Sequence, residues 1–173
     1  MKIIDTHAHV YPDKIADKAS NATGIFYGIP PHFNGSVGKL LERGDRAGID
    51  HYVVSSIATT PAQVHAINTY ISSLVSENCN KFTGLGTLQQ DLEDVEGAVE
   101  EIISLGLKGI KLHPDIQRVK LNDERVLRFF EVVGERLPVL VHFGDKRYDN
   151  SNPEEVKPVL DAFPHTRFIG ANF

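Results

Sequence analysis

The 173-residue sequence contains a single cysteine, Cys79, one methionine and no tryptophan. One thiol cannot close an internal disulfide, so the core must hold the fold, and a reducing cytoplasm is the expected location. Basic residues are not in excess: 18 Lys and Arg face 23 Asp and Glu, giving a net charge of −5, and no Lys/Arg cluster offsets it. That balance argues against a nucleic-acid or anionic-membrane partner. There is no apolar run of bilayer length, and one lysine and two isoleucines ahead of Asp5 are too short and polar for a signal peptide. Linkers and low-complexity segments are also missing, so residues 1–173 are expected to form one domain, long enough to bury a sizeable core.

What the chain does have is alternation. Short apolar runs read as strands: "KIIDTHAHV", "HYVVSSIA", "FTGLGTLQ", "KGIKLH", "PVLVHFG" and "RFIGANF". Between them lie helical patterns. Ser36 precedes Val37, Leu40, Leu41 and Ala47. Thr60-Pro61 supplies a cap and a first-turn proline ahead of Val64, Ile67, Ile71, Leu74 and Val75. Asp91 opens a stripe of Leu92, Val95, Val99, Ile102 and Ile103 that Gly106 can end. Asn122 precedes Val126, Phe129, Phe130 and Val133, and Asn152-Pro153 precedes Val156, Leu160 and Phe163. The stretch between the first strand and Ser36, with Gly28, Pro30 and Pro31, reads as a long loop.

Six strands alternating with five helices predict a parallel sheet with right-handed crossovers. An open doubly wound sheet and a (β/α) barrel both satisfy that pattern. Length favours the open sheet, since a barrel normally takes about 250 residues. The end of the first strand favours the barrel: a dinucleotide-binding sheet would carry a glycine-rich turn there, and this chain has His7-Ala8-His9 instead.

Successive strand residues point to opposite faces, so Asp5, His7 and His9 share one face. Two imidazoles about 7 Å apart along a strand can converge on one divalent ion, and neutral ring nitrogen suits zinc and its neighbours. The same spacing also fits two polar residues at an exposed strand end. Position adds weight, because the C-terminal ends of parallel strands are where such folds keep their sites. His142 ends the fifth strand ahead of Gly144-Asp145, and His113 ends the fourth in "GIKLHP". His142 is the best third ligand, with a hydrogen-bonded core histidine as the alternative. His113 can shape the turn, touch substrate or bind metal, and Lys111 shares its face. Asp145, Lys146 and Arg147 lie near the same mouth, where Lys146 or Arg147 can meet a substrate carboxylate or simply be solvated. No glutamate ends the fourth strand, and no nucleophile elbow surrounds Ser55 or Ser56.

Taken together, His7-Ala8-His9, "GIKLHP", "VLVHFGD" and "RFIGANF" resemble the amidohydrolase superfamily over essentially the whole chain, and within it the amidohydrolase-related group of metal-dependent hydrolases and non-oxidative decarboxylases. The resemblance implies a TIM-barrel-type (β/α) fold with a divalent ion at its C-terminal mouth: zinc first, with manganese, iron or cobalt also admissible. It maps His7, His9 and His142 onto metal ligands and implies a small carboxylate-bearing substrate, for which His113, Lys111, Asp145 and Lys146, by their place at the mouth, are the candidate contacts. Two departures stand out. Asn172 occupies a sixth-strand position that is usually histidine, and asparagine cannot exchange a proton near neutral pH. The family's eighth-strand aspartate has no counterpart, because six of eight strands are present. The expectation is an incomplete barrel, a truncated form of a longer chain, with a homo-oligomer covering its open side. A metal-dependent hydrolase is the leading function, with a decarboxylase or a catalytically dead barrel remnant as alternatives.

Overall fold

Runs of Val, Ile and Leu separated by capped helical stripes can bury both faces of a strand only if helices cross back over the sheet, and the resulting pairing here is parallel throughout. The computed structural model describes residues 1–171. Asn172 lies outside the described residues. In chain order the elements are β1 (Ile4–His9), α1 (Asp13–Tyr27), α2 (Val37–Ala47), β2 (His51–Ser55), a single tight turn at Pro61–Gln63, α3 (Val64–Glu77), β3 (Phe82–Gly84) and β4 (Gly86–Thr87). After these come α4 (Val95–Ser104), β5 (Ile110–Leu112), α5 (Pro114–Gln117), α6 (Glu124–Val133), β6 (Val139–His142), α7 (Pro153–Ala162) and β7 (Phe168–Ala171). None of the helices in the described residues is long and apolar enough to cross a membrane.

The strands form two ladders, β1-β2-β3 and β4-β5-β6-β7. They meet within one extended stretch. Leu85 N–H donates to Val54 O at 2.9 Å, and the next amide, Gly86 N–H, donates to Gly109 O at 2.9 Å. The predicted third strand therefore changes partner at Leu85 and serves as β3 on one side and β4 on the other. Among the described residues β1 and β7 are not paired with each other, and the sheet is an incomplete (β/α) barrel.

Alternation along the strands sorts the interior. Tyr52, Val54, Phe82, Ile110, Leu112, Val139 and Val141 join Ile71, Leu74, Val99, Ile102, Phe129 and Phe130 in the main core between sheet and helices. Gly84 and Gly86 let that layer close, because a Cβ there would come within 2.7 Å of Ile71 and 2.8 Å of Ile102. The opposite, concave face holds a small apolar cluster of Leu85, Leu140 and Ala171, with Val53 packed against it. At its open edges Ile3, Ile4 and Ile169 are exposed.

The caps follow the sequence closely in most places. Thr60 and Gln63 form a reciprocal capping box, Asn152 accepts from Glu154 N–H, and Gly48 ends α2 in the left-handed region. Two helix starts sit later than predicted: Asp94 caps α4 and Asp123 caps α6, each by accepting a backbone N–H. The stretch predicted as a long first loop instead contains α1. It begins after Pro12 with Asp13 in its first turn and ends at Gly28, whose φ of 68° suits glycine.

Gly44 generates a test of the α2 packing. A Cβ at this position would lie 1.3 Å from Tyr52 Oη, and Tyr52 is fully buried and cannot swing away. Gly44→Ala should lower the unfolding free energy by about 1–3 kcal/mol by overpacking. Gly38→Ala, whose Cβ would meet nothing within 4 Å, should raise it by about 0.5–1 kcal/mol through helix entropy. Urea midpoints of the two variants measure the contrast.

Candidate metal centre

The first strand ends irregularly. Its pairing with β2 shifts register between Asp5 and Ala8, and Asp5 Oδ1 accepts the His7 backbone N–H at 3.0 Å. Two side chains that a regular strand would hold about 7 Å apart are thereby turned together: His7 Nε2 and His9 Nε2 are 3.2 Å apart.

The neighbouring strand ends are pinned by one amide. Buried Gln117 donates from Nε2 to Ala58 O at 3.1 Å and Leu88 O at 2.7 Å, and its Oε1 accepts His113 N–H at 2.9 Å. The loops after β2, β4 and β5 are thus tied at a single point, which fixes the His113 backbone at the head of α5. The His113 ring lies flat against His142, with centroids 3.9 Å apart and planes 13° from parallel, and the His142 ring lies 5.7 Å from His7. The structure therefore brings His7, His9, His113 and His142 to one rim.

All four rings are held neutral. Burial, ahead of the nearby Lys111 charge, lowers His7 to about 4 and His9 to about 3. Burial, then Lys111, lowers His142 to about 4, and burial, then His142, lowers His113 to about 2. Lys111 is fully buried on the concave face, its Nζ has no hydrogen-bond partner among the described residues, and burial pushes its pKa down to about 7. Asp145 is half-buried, and its pKa is depressed by hydrogen bonds from Arg147. Lys146 is exposed on the same loop.

The roof over these rings joins the predicted Asp145–Arg147 mouth to a segment read from the sequence as loop. Tyr27, in the last turn of α1, places its hydroxyl 2.7 Å from His113 Nε2 and 3.3 Å from His142 Nε2. Burial and the charges of Asp145 and Asp115 push the Tyr27 pKa up to about 12, so the phenol keeps its proton. Arg147 straps this turn down. It forks into Asp145 with Nε and Nη2 at 3.0 and 2.7 Å, donates to Phe26 O, and lies over the Phe26, Tyr27 and Tyr148 rings. Beside it, Asp115 and Ser151 are both buried, and burial raises the Asp115 carboxyl while the Ser151 hydroxyl pulls it down. The signals that mark Tyr27 are the Pro12-Asp13 helix start and the Gly28 stop.

Two neutral imidazoles converging at a strand end fit a divalent ion by donor chemistry. As the side chains stand, no three His, Cys, Asp or Glu groups among the described residues are arranged to enclose one. The sequence matches the amidohydrolase family over residues 4–172. The chain belongs to the amidohydrolase family. No curated protein matches it. Among solved structures, this amidohydrolase is similar to 5-carboxyvanillate decarboxylase from Sphingomonas paucimobilis, with 18% identity and TM-score 0.71 over 98% of this chain and 67% of that one. It is also similar to 4-oxalomesaconate hydratase from Rhodopseudomonas palustris, with 20% identity and TM-score 0.66 over 97% and 62%. A 5-carboxyvanillate decarboxylase from Novosphingobium aromaticivorans, solved with bound manganese, matches at 18% identity and TM-score 0.65 over 93% and 55%. The amidohydrolase chain thus spans between 55% and 67% of the length of these structures.

Lys111 yields a pH-dependent prediction. Its folded pKa of about 7 lies below its ordinary value of 10.5, so the folded state binds its proton less readily than the unfolded chain does. The penalty is absent above 10.5, grows as the pH falls, and is complete below about 7. At about 1.4 kcal/mol per pH unit, Lys111→Met should raise stability by a few kcal/mol at pH 7 and by much less at pH 10. Denaturant unfolding of both proteins at the two pH values checks this; a gain independent of pH would contradict it.

Proposed function

We propose that His7, His9 and His142 hold one divalent metal ion, and that the rim around them turns over a small carboxylate-bearing molecule. The observation that carries this reading is the 3.2 Å approach of the His7 and His9 Nε2 atoms, on rings kept neutral by burial. Neutral imidazoles are the form that ligates, and a mixed nitrogen and oxygen site admits zinc, manganese, iron or cobalt. Zinc is the first choice from the histidine set, while the manganese in the Novosphingobium decarboxylase supports manganese as the second. When bound, such an ion supplies a Lewis acid that polarises a carbonyl or carboxylate oxygen.

The chain's own residues supply the rest of the proposal. Lys111 offers a buried amine without a hydrogen-bond partner among the described residues, suited in its protonated form to a substrate carboxylate. His113 and Asp145 border the same space, Lys146 marks its solvent edge, and Asn172 serves as a hydrogen-bonding residue and not as a proton carrier. Hydrolysis, the leading reading from the sequence, requires a base to take a proton from water. Asp5 accepts the His7 N–H and Asp145 is forked by Arg147, whereas buried Asp115, its carboxyl raised by burial, borders the same roof and is the candidate to accept that proton. The second reading, non-oxidative decarboxylation, is the activity of two of the similar structures. Self-association over the exposed Ile3, Ile4 and Ile169 edges belongs to the same proposal.

Elemental analysis of protein purified without added metal should find close to one equivalent of a transition metal, and His7→Ala and His9→Ala should each lose it. Less than about 0.2 equivalents would remove the ligand assignment, since protein sites of this kind bind tightly. A panel of small aromatic and aliphatic carboxylic acids, with their amides, separates the reactions: carbon dioxide release marks the decarboxylase, and amine release marks the hydrolase.

A further inference from the structure

The hydrogen bonds of the rim determine where the ring protons lie. Ile116 N–H donates to His113 Nδ1 at 3.4 Å, and a ring that accepts at Nδ1 carries its hydrogen on Nε2. That hydrogen faces the Tyr27 hydroxyl oxygen at 2.7 Å, which accepts it. The phenol's own hydrogen then goes to its other neighbour, His142 Nε2, at 3.3 Å. A neutral imidazole that accepts at Nε2 carries its hydrogen on Nδ1. In this arrangement one His142 nitrogen is covered by the phenol and the other by a proton, so neither offers a metal ion a lone pair.

We propose that Tyr27 is a positioning residue that latches His142 out of its metal-binding state, and that displacement of the last turn of α1 releases it. The proposal rests on the reading of His7, His9 and His142 as a metal site. The turn that carries the latch is held from outside: Arg147 donates to Phe26 O, lies over the Tyr27 ring, and is itself fixed by Asp145, three residues beyond His142. Ligand loading and the seating of α1 are therefore alternatives for the same ring. Whatever loosens the Arg147 strap raises metal affinity.

The test is titration of the metal-free protein with zinc by calorimetry and with cobalt(II) by its visible absorption. Removing one hydrogen bond of ordinary net strength should make Tyr27→Phe bind either ion about three- to tenfold more tightly. Arg147→Ala should move affinity the same way through the strap, and circular dichroism confirms that each variant is folded. In a His142→Ala background, Tyr27→Phe should change nothing, because the ring it acts through is gone. Unchanged affinity in Tyr27→Phe, or weaker binding that would make Tyr27 an orienting partner of a bound ligand, overturns the latch and leaves the metal site standing. Tightening that persists in the His142→Ala background also overturns it. Zinc binding by none of the proteins would remove the metal reading, and the latch with it.

Discussion

Parallel pairing is the constraint from which the rest of this structure follows. A strand that must run beside its predecessor in the same direction forces the chain to return along the sheet before pairing again. Every return here passes over the same outer face, so the strand ends gather on one rim and the helices take one side. Alternation along each strand then divides the side chains between two environments. Outward residues enter a deep core with the helices, whereas inward residues meet only Leu85, Leu140, Ala171 and Val53 and a set of polar groups. The polar interior can exist because the outer layer supplies most of the apolar burial.

The rim shows how few contacts are needed to assemble a site from distant segments. Gln117 fixes three loop ends with one side chain, and Tyr27 spans the fourth and fifth strand ends predicted from the sequence with one hydroxyl. Burial keeps the histidines neutral, and an unpaired lysine below them adds to that pressure. Uncharged rings, a buried lysine and an aromatic roof each follow from where the fold removes water.

Much of this was legible in the sequence because it depends on local periodicity. The Val64–Val75 and Val126–Val133 stripes, the Thr60-Pro61 start and the strand-end histidines could all be read directly, and the structure brings those histidines to one rim. What escaped depends on distant partners. The change of ladder at Leu85 is invisible in "FTGLGTLQ", since only the third dimension decides which neighbour an amide meets. The α1 helix was hidden by a weak apolar stripe, with only Ala16 and Ser20 buried, although Asp13 after Pro12 and Gly28 mark its two ends. Tyr27 and Arg147 gain their meaning only when α1 folds back over the loop after β6, a contact between residues 121 positions apart.

The order of the strands has one further consequence. Among the described residues each strand pairs only with strands adjacent to it in the chain. The helix stripes nevertheless merge into one continuous core, and Gln117 and Arg147 tie together loops far apart in sequence. Pairing in this sheet is thus local in sequence, whereas the burial and the rim contacts that hold it are not.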